Sequence, residues 1–435
     1  MEVSMVIIVL LGVFFALMLL GFPVALSFMA ANITVLVLHS GTRFFSLIAV
    51  GMFASLNSFV LIAVPLFIIM GEIIVRCQFI DLVTNASESI FGKLRTQDAI
   101  LTVGTGTVLA VLSGAPIATG ATLGATLVPR MLRHGYTKWF ACGTALGGAA
   151  LATLIPPSSL AIILATLAEV SPNRVLIGGL LPGLICSALF IVFILVSSKI
   201  WPHLVPDKVE QEYRYPFKEV ILRIAKALPL GIIVLLVLGV IFLGIATATE
   251  AAALGAIGTI LMALVYRRLT WNIFVDSLMA SAKMTSMLFL IISTSSIFGR
   301  VLTLTGAGPS IVNTIVNAPV GPYFIVAIMI GCILILGCFM DSIAMMMITV
   351  PLFTPAVIAL GFDPLWFCVL ILITTGIAGI TPPVGMVLYA LKGSCDEVEM
   401  HDVYRGGIPY FLIQMAVIIL VMIFPKIGLW LPGLL

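Results

Sequence analysis

The sequence predicts an all-α polytopic membrane protein built from two inverted structural repeats, and three observations carry that reading. Hydrophobic residues make up 62% of the 435 residues and only 9% are charged, against roughly 25% charged in soluble domains. The apolar residues gather in runs of the length a membrane helix requires, about 20 residues. Displacing the chain by 226 positions lays Pro129 on Pro355, Gly135 on Gly361, Tyr136 on Phe362, Cys142 on Cys368 and Pro156-Pro157 on Pro382-Pro383 without a gap. Proline-interrupted segments at corresponding positions of two halves mark membrane folds made of repeats, commonly of inverted topology.

The first apolar run, residues 6–38, has no basic leader and no small-residue cleavage site, so a retained helix is expected there. Further runs cover 61–75, 175–198, 224–245, 324–337 and 411–424. In total, roughly ten to fourteen segments are expected from the ~20-residue requirement. Their apolarity is continuous, which excludes the alternating pattern of a β-barrel. Basic residues cluster at 93–95, 130–138, 208–226 and 267–268, the candidate cytoplasmic loops. The net charge of +3 is small, and no nucleic-acid partner is expected. The polar stretch 201–223 divides the chain near its middle, either as a solvated loop or as an amphipathic connector between halves. Seven cysteines without paired spacing read as small core residues.

Each half carries the same two parts. A helical hairpin is expected over 98–133 and again over 320–360, each too short to cross twice with comfort and therefore re-entrant. Gly114-Ala115-Pro116 supplies turn formers at the first tip, whereas the second tip, Cys338-Phe339-Met340-Asp341-Ser342, has none. The second part is a helix broken at Ile155-Pro156-Pro157-Ser158 or at Ile380-Thr381-Pro382-Pro383. Adjacent prolines lack two amide hydrogens and clash with the preceding turn, so carbonyls are freed. In a membrane, freed carbonyls survive only when buried in protein or lining a wet cavity. They suit a hard cation such as sodium, with hydroxyls at Ser113, Thr119, Thr122, Ser158, Ser159 and Thr381 nearby. The next half-helix begins at the same break and attracts an anion.

Asp341 is the only charge between Arg300 and Asp363. A carboxylate at the bilayer centre costs about 2.5–3.5 kcal/mol, so Asp341 is expected to face a cavity or a partner, as cation ligand, proton carrier or solute contact, the alternative being an interfacial loop. Arg300 and Lys283 are the nearest upstream cations for a carboxylate; Lys283 also fits a snorkelling role. Glu250, after Thr247, fits either a helix start or the site, and Glu72 is weighed alongside it. There is no phosphate-binding G-x-x-x-x-G-K-[ST] loop and hence no ATPase motor in this chain. Gly104-Thr105-Gly106-Thr107 sits in an apolar run and reads as close helix packing. His39, His134, His203 and His401 are scattered and suggest no metal cluster, and no nucleophile–base pair points to an enzyme.

The chain resembles the large membrane subunit of tripartite ATP-independent periplasmic (TRAP) transporters along essentially its whole length. The matching stretches are Gly21-Phe22-Pro23, Val64-Pro65-Leu66-Phe67 through Gly71, Gly104-Thr105-Gly106-Thr107 through Ser113-Gly114, and Leu154-Ile155-Pro156-Pro157-Ser158. Thr249-Glu250-Ala251-Ala252, Phe339-Met340-Asp341 with Pro351, and Gly379-Ile380-Thr381-Pro382-Pro383-Val384-Gly385 complete the set. The resemblance implies an elevator-type arrangement of scaffold and transport domain. Residues 1–95, 171–226, 227–318 and 396–435 would form scaffold and connector, and 96–170 and 319–395 the transport domain. It further implies inner-membrane uptake of a small organic acid, coupled to sodium. The implied partners are a small four-helix membrane subunit and a periplasmic substrate-binding protein, with no cofactor beyond the coupling ion. One sodium is then expected at Ser113, Gly114 and Pro156, and another at Cys338, Met340, Gly379 and Thr381. Asp341, Ser113, Thr119, Ser158, Thr381 and Arg300 are the candidate substrate contacts. Ala115-Pro116 departs from the family's small hydroxyl residue after Ser-Gly, which leaves backbone carbonyls as the ligands at that tip. A standalone ion-coupled organic-anion carrier or antiporter is the alternative.

Overall fold

The computed structural model describes residues 3–41, 45–79, 81–83, 85–86, 95–206 and 216–435, without the side chains of Ser40, residues 110–113 and Phe217. Among the described residues all regular structure is helical. Eight helices among the described residues are long and apolar enough to cross a membrane, and five shorter apolar helices accompany them. In chain order, α1 (Val3–Leu19), α2 (Val24–Ser40), α3 (Phe45–Leu56) and α4 (Ala63–Arg76) precede a hairpin of α5 (Gln97–Ser113) and α6 (Pro116–Arg133). A broken helix follows, α7 (Lys138–Ala150) and α8 (Ser159–Leu167), and then α9 (Pro172–Ile200). The second half has α10 (Phe217–Phe242), α11 (Ala248–Val265), α12 (Trp271–Leu304) and α13 (Ala307–Val316). Its hairpin is α14 (Pro322–Phe339) and α15 (Ser342–Ala359), its broken helix α16 (Pro364–Gly379) and α17 (Met386–Ser394), and α18 (Met400–Ile423) follows.

The 226-residue displacement seen in the sequence maps α6 onto α15 from end to end. The shared Gly-aromatic step ends both helices in the same way. Gly135 and Gly361 take φ of +90° and +84°. The Tyr136 and Phe362 amides then reach back to Met131 and Val357 carbonyls at 3.0 and 3.1 Å, the bonding of a Schellman stop, which needs the left-handed residue that glycine supplies. Proline sits in the first turn of α6, α9, α14 and α16, where its missing N–H costs nothing. Glu250 proves to be a capping residue: Thr247 N donates to its Oε2 at 2.8 Å, and Glu250 N donates to Thr247 Oγ1 at 3.3 Å. Both members of the double prolines are joined by cis peptides.

The first halves of the broken helices, α7 and α16, form the centre. Residues 140–150 and 365–378 are buried on every side, as expected of a helix apolar all round. Just past α7, Thr153 Oγ1 donates to Leu372 O of α16 at 3.0 Å. A side chain at Gly106 would meet the Gly148 backbone at 2.6 Å, so this glycine of the Gly104–Thr107 run does serve close packing. α18 lies along α7 and α16, while α4 packs on α11 and α12.

The base of the first hairpin is clasped by charge. Buried Asp98 meets Arg130 Nη2 at 3.1 Å and His134 Nδ1 at 2.6 Å. In the second half the ring of Phe362 lies 4.9 Å from both Tyr323 and Trp366. Residues 207–215 of the polar divide lie outside the described residues. Beyond them, Glu219 and Arg223 pair at 2.9 Å in the opening turns of α10.

Candidate functional site

Both hairpin tips and the ends of both broken helices border one cavity of about 380 Å³. Gly114, Ala115 and Pro116 come from the first tip, Met340, Asp341 and Ser342 from the second. Ser159 opens α8, Gly379 closes α16 and Met386 opens α17 on the same wall. The lining is completed by Ile68, Gly71, Glu72 and Val75 of α4 and by Met284 and Leu288 of α12.

Double prolines explain the loose carbonyls. A helical carbonyl bonds the N–H three or four residues on, and for Gly379 those positions are Pro382 and Pro383. Thr153 stands in the same relation to Pro156 and Pro157. At the second break a Cβ on Gly385 would lie 2.7 Å from Thr381 O and 3.0 Å from Gly379 O. Both carbonyl oxygens thus lie close against Gly385, and with Leu388 Cδ1 2.8 Å from the same position only glycine fits there. Pro383 O is satisfied instead by the hydroxyls of Tyr389 and Tyr404, at 3.2 and 3.3 Å.

Each tip leans on the break of its own half. Gly114, at φ +56°, would place a Cβ 3.1 Å from Pro157 O and 3.4 Å from Ser159 N, so its backbone lies against the first break. At the second, Val384 N donates to Cys338 O at 3.2 Å. The breaks differ in exposure: Pro156 and Pro157 are buried, whereas Pro382 and Pro383 are exposed.

Four helices, α6, α8, α15 and α17, begin on the cavity wall. A helix start carries unbonded N–H groups and about half a positive charge. Ser158 caps α8, its Oγ accepting from Ala161 N at 3.3 Å. Asp341 caps α15, with Oδ1 accepting from Ile343 N at 2.8 Å and Ala344 N at 3.2 Å. α6 and α17 have no side-chain cap. Among the lining residues the ionisable ones are Asp341 and Glu72, with no Lys, Arg or His. The wall therefore offers uncapped amides to an anion, and carboxylates and carbonyls to a cation.

Of the residues singled out in the sequence, Asp341, Gly114, Met340 and Gly379 reach the cavity, as does Ser159. Ser113 ends α5, but its side chain lies outside the described residues. Pro156 and Cys338 are buried behind the wall, the latter engaged through its carbonyl. Ser158 is buried and serves as a helix cap. Thr119 and Thr381 turn their hydroxyls back to Ala115 O and Ile377 O, at 3.0 and 2.6 Å. Arg300 is exposed on α12 with its stem over Gly51, away from the cavity wall, and Lys283 is exposed as well. Glu72, which carries the same sequence signal as Asp341, a carboxylate within an apolar run, also lines the cavity. Glu72 pairs with Arg76 at 2.9 Å. No cluster of three metal-ligating side chains occurs among the described residues.

Comparison with known proteins agrees with this architecture. The profile described as "Tripartite ATP-independent periplasmic transporter, DctM component" matches residues 11–427. The isethionate TRAP transporter permease protein DctMQ of Oleidesulfovibrio alaskensis is 28% identical over 98% of this chain, which spans 66% of that protein's length. The C4-dicarboxylate TRAP transporter large permease protein DctM of Pseudomonas aeruginosa is 29% identical over 89% of each chain. Among solved structures, the YdaH transporter of Alcanivorax borkumensis superposes with a TM-score of 0.63 over 90% of each chain at 14% identity, a likeness of fold. The chain belongs to the DctM component of the tripartite ATP-independent periplasmic transporters, a family of multi-pass inner-membrane permeases and not of enzymes.

Proposed function

We propose that this chain carries out secondary active uptake of a small carboxylate-bearing solute, coupled to sodium and fed by a periplasmic binding protein. A small four-helix membrane subunit is its partner in the bilayer. The observation that carries the proposal is the meeting of two tips, two breaks and four helix starts at one cavity. Its volume of about 380 Å³ lies at the low end of the ~300–1,000 Å³ usual for ligand pockets, in keeping with a small solute. With no basic side chain on the wall, the carboxylate is held by the uncapped starts of α6 and α17. Sodium occupies the carbonyl pair of Gly379 and Thr381, and a second ion the first break beside Gly114. Each sodium moving inward contributes about 2.3 kcal/mol per 100 mV of membrane potential.

In this reading the two halves are inverted repeats. Residues 96–170 and 319–395 move as the transport domain against a scaffold that includes α4 and α12, whose residues complete the cavity's lining. The buried first break and the exposed second suit a state open on one side only.

The test is uptake in proteoliposomes holding this chain, its small subunit and a ligand-loaded binding protein. The expected result is accumulation driven by an inward sodium gradient and absent with potassium. Sodium-independent uptake would overturn the coupling, and uptake without any binding protein would point to a standalone carrier.

A further inference from the structure

We propose that a second groove, remote in sequence from the tips and breaks, is a binding site for an anionic phospholipid. The groove has a volume of about 450 Å³ and is lined by Trp139, Trp201, His203, Leu204, Arg405, Ile408 and Pro409. Three elements end together there: the first turn of α7, the segment just after α9, and the opening turns of α18. The position is fixed by hydrogen bonds to backbone carbonyls of the segment after α9. Thr137 N donates to Leu204 O at 3.3 Å, and Arg95 Nε donates to Pro206 O at 3.1 Å.

The chemistry is that of an amphiphile with a negative head. The Arg405 guanidinium stands 5.2 Å from the centre of the Trp139 ring, a cation–π contact that orients it. Among the described residues no carboxylate lies within ion-pair distance of it. The nearest acid in sequence, Asp402, is engaged at the helix start, accepting from Glu399 N at 3.1 Å. Exposed Lys138 neighbours Trp139, and exposed Lys199 and His203 flank Trp201. An oriented guanidinium matches a phosphate with two parallel hydrogen bonds. Leu204, Ile408 and Pro409 provide an apolar floor that a free phosphate would leave unused.

Depth in the membrane points the same way. Tryptophans gather at the level of the lipid headgroups, and basic pockets between helices at the cytoplasmic face receive anionic lipid heads. This groove lies beside the 130–138 cluster of basic residues, a candidate cytoplasmic loop by the positive-inside rule.

The experiment is quenching of tryptophan fluorescence in the full chain reconstituted with brominated lipids. Brominated phosphatidylglycerol should quench more strongly than brominated phosphatidylcholine. Arg405→Gln should reduce that preference about fivefold, the worth of one basic residue near an anionic leaflet. Ile408→Asp, which places a charge on the apolar floor, should weaken quenching by both lipids. Excess inorganic phosphate should not relieve the quenching. Equal quenching by the two lipids, a preference unchanged in Arg405→Gln, or displacement by inorganic phosphate would each overturn the proposal. None of these readings depends on transport activity.

Discussion

Asp341 caps a helix and also faces the cavity, and substitution separates the two roles. Its Oδ1 accepts two backbone N–H groups of α15, while Oδ2 accepts no hydrogen bond from the described residues. Asparagine caps a helix about as well as aspartate, so Asp341→Asn keeps the cap and removes the charge. Its cost in stability should be confined to the charge–dipole term, about 0.3–1 kcal/mol. Bonds to a charged group contribute about 1.5–3 kcal/mol against about 0.5–1.5 for neutral ones, so the cavity contact should weaken by about 1–1.5 kcal/mol. That corresponds to a rise of about 5–10-fold in the sodium or solute concentration giving half-maximal uptake. Asp341→Ala loses the cap as well, at about 1 kcal/mol further, and should also lower the melting temperature of the purified protein. The assay is sodium-dependent uptake in proteoliposomes beside thermal unfolding in detergent. Normal half-saturation in Asp341→Asn, with a defect only in Asp341→Ala, would mean that Asp341 is merely a cap.

Three further outcomes follow from the geometry. Gly114→Ala forces an L residue into the left-handed region with its Cβ 3.1 Å from Pro157 O; it should cost about 1–2 kcal/mol of stability and impair uptake, read by thermal unfolding and transport rate. Gly385→Ala places a methyl between the Gly379 and Thr381 carbonyls, so sodium dependence should be lost, and a variant with unaltered sodium titration would remove that pair as an ion site. Asp98→Ala leaves Arg130 and His134 facing an emptied buried position and should destabilise by about 3–5 kcal/mol, whereas a melting temperature within the error of the parent would show the clasp to be ornamental.

The hairpins and breaks were legible in the sequence because their signals are local. Two prolines side by side, Gly-aromatic stops and a lone aspartate each act within a turn of their own position. The second tip lacks Gly and Pro, yet the chain still turns there because Asp341 restarts the helix as its cap. The orientation of the hydroxyls was not legible, for a physical reason. In apolar surroundings a threonine donates to the carbonyl four residues back, as Thr119 and Thr381 do, which turns the hydroxyl along its own helix and leaves its oxygen to accept. The rest of the cavity's lining was not legible, since α4 and α12 arrive from distant parts of the chain and no local pattern announces that meeting. Arg300 was attractive as the nearest arginine in sequence, but its place on α12 directs it toward α3.

The central claim is that tips, breaks and the α4–α12 wall enclose the solute and its ions together. Ala118 and Ser342 line the cavity from opposite hairpins and can be converted singly to cysteine in a background where exposed Cys332 has been replaced. The most direct measurement is the rate at which a polar maleimide labels each cysteine, with and without sodium and solute. Both rates should fall together when sodium and solute are present and neither should fall with potassium. Labelling at both positions indifferent to sodium and solute, in protein that still transports, would contradict the account.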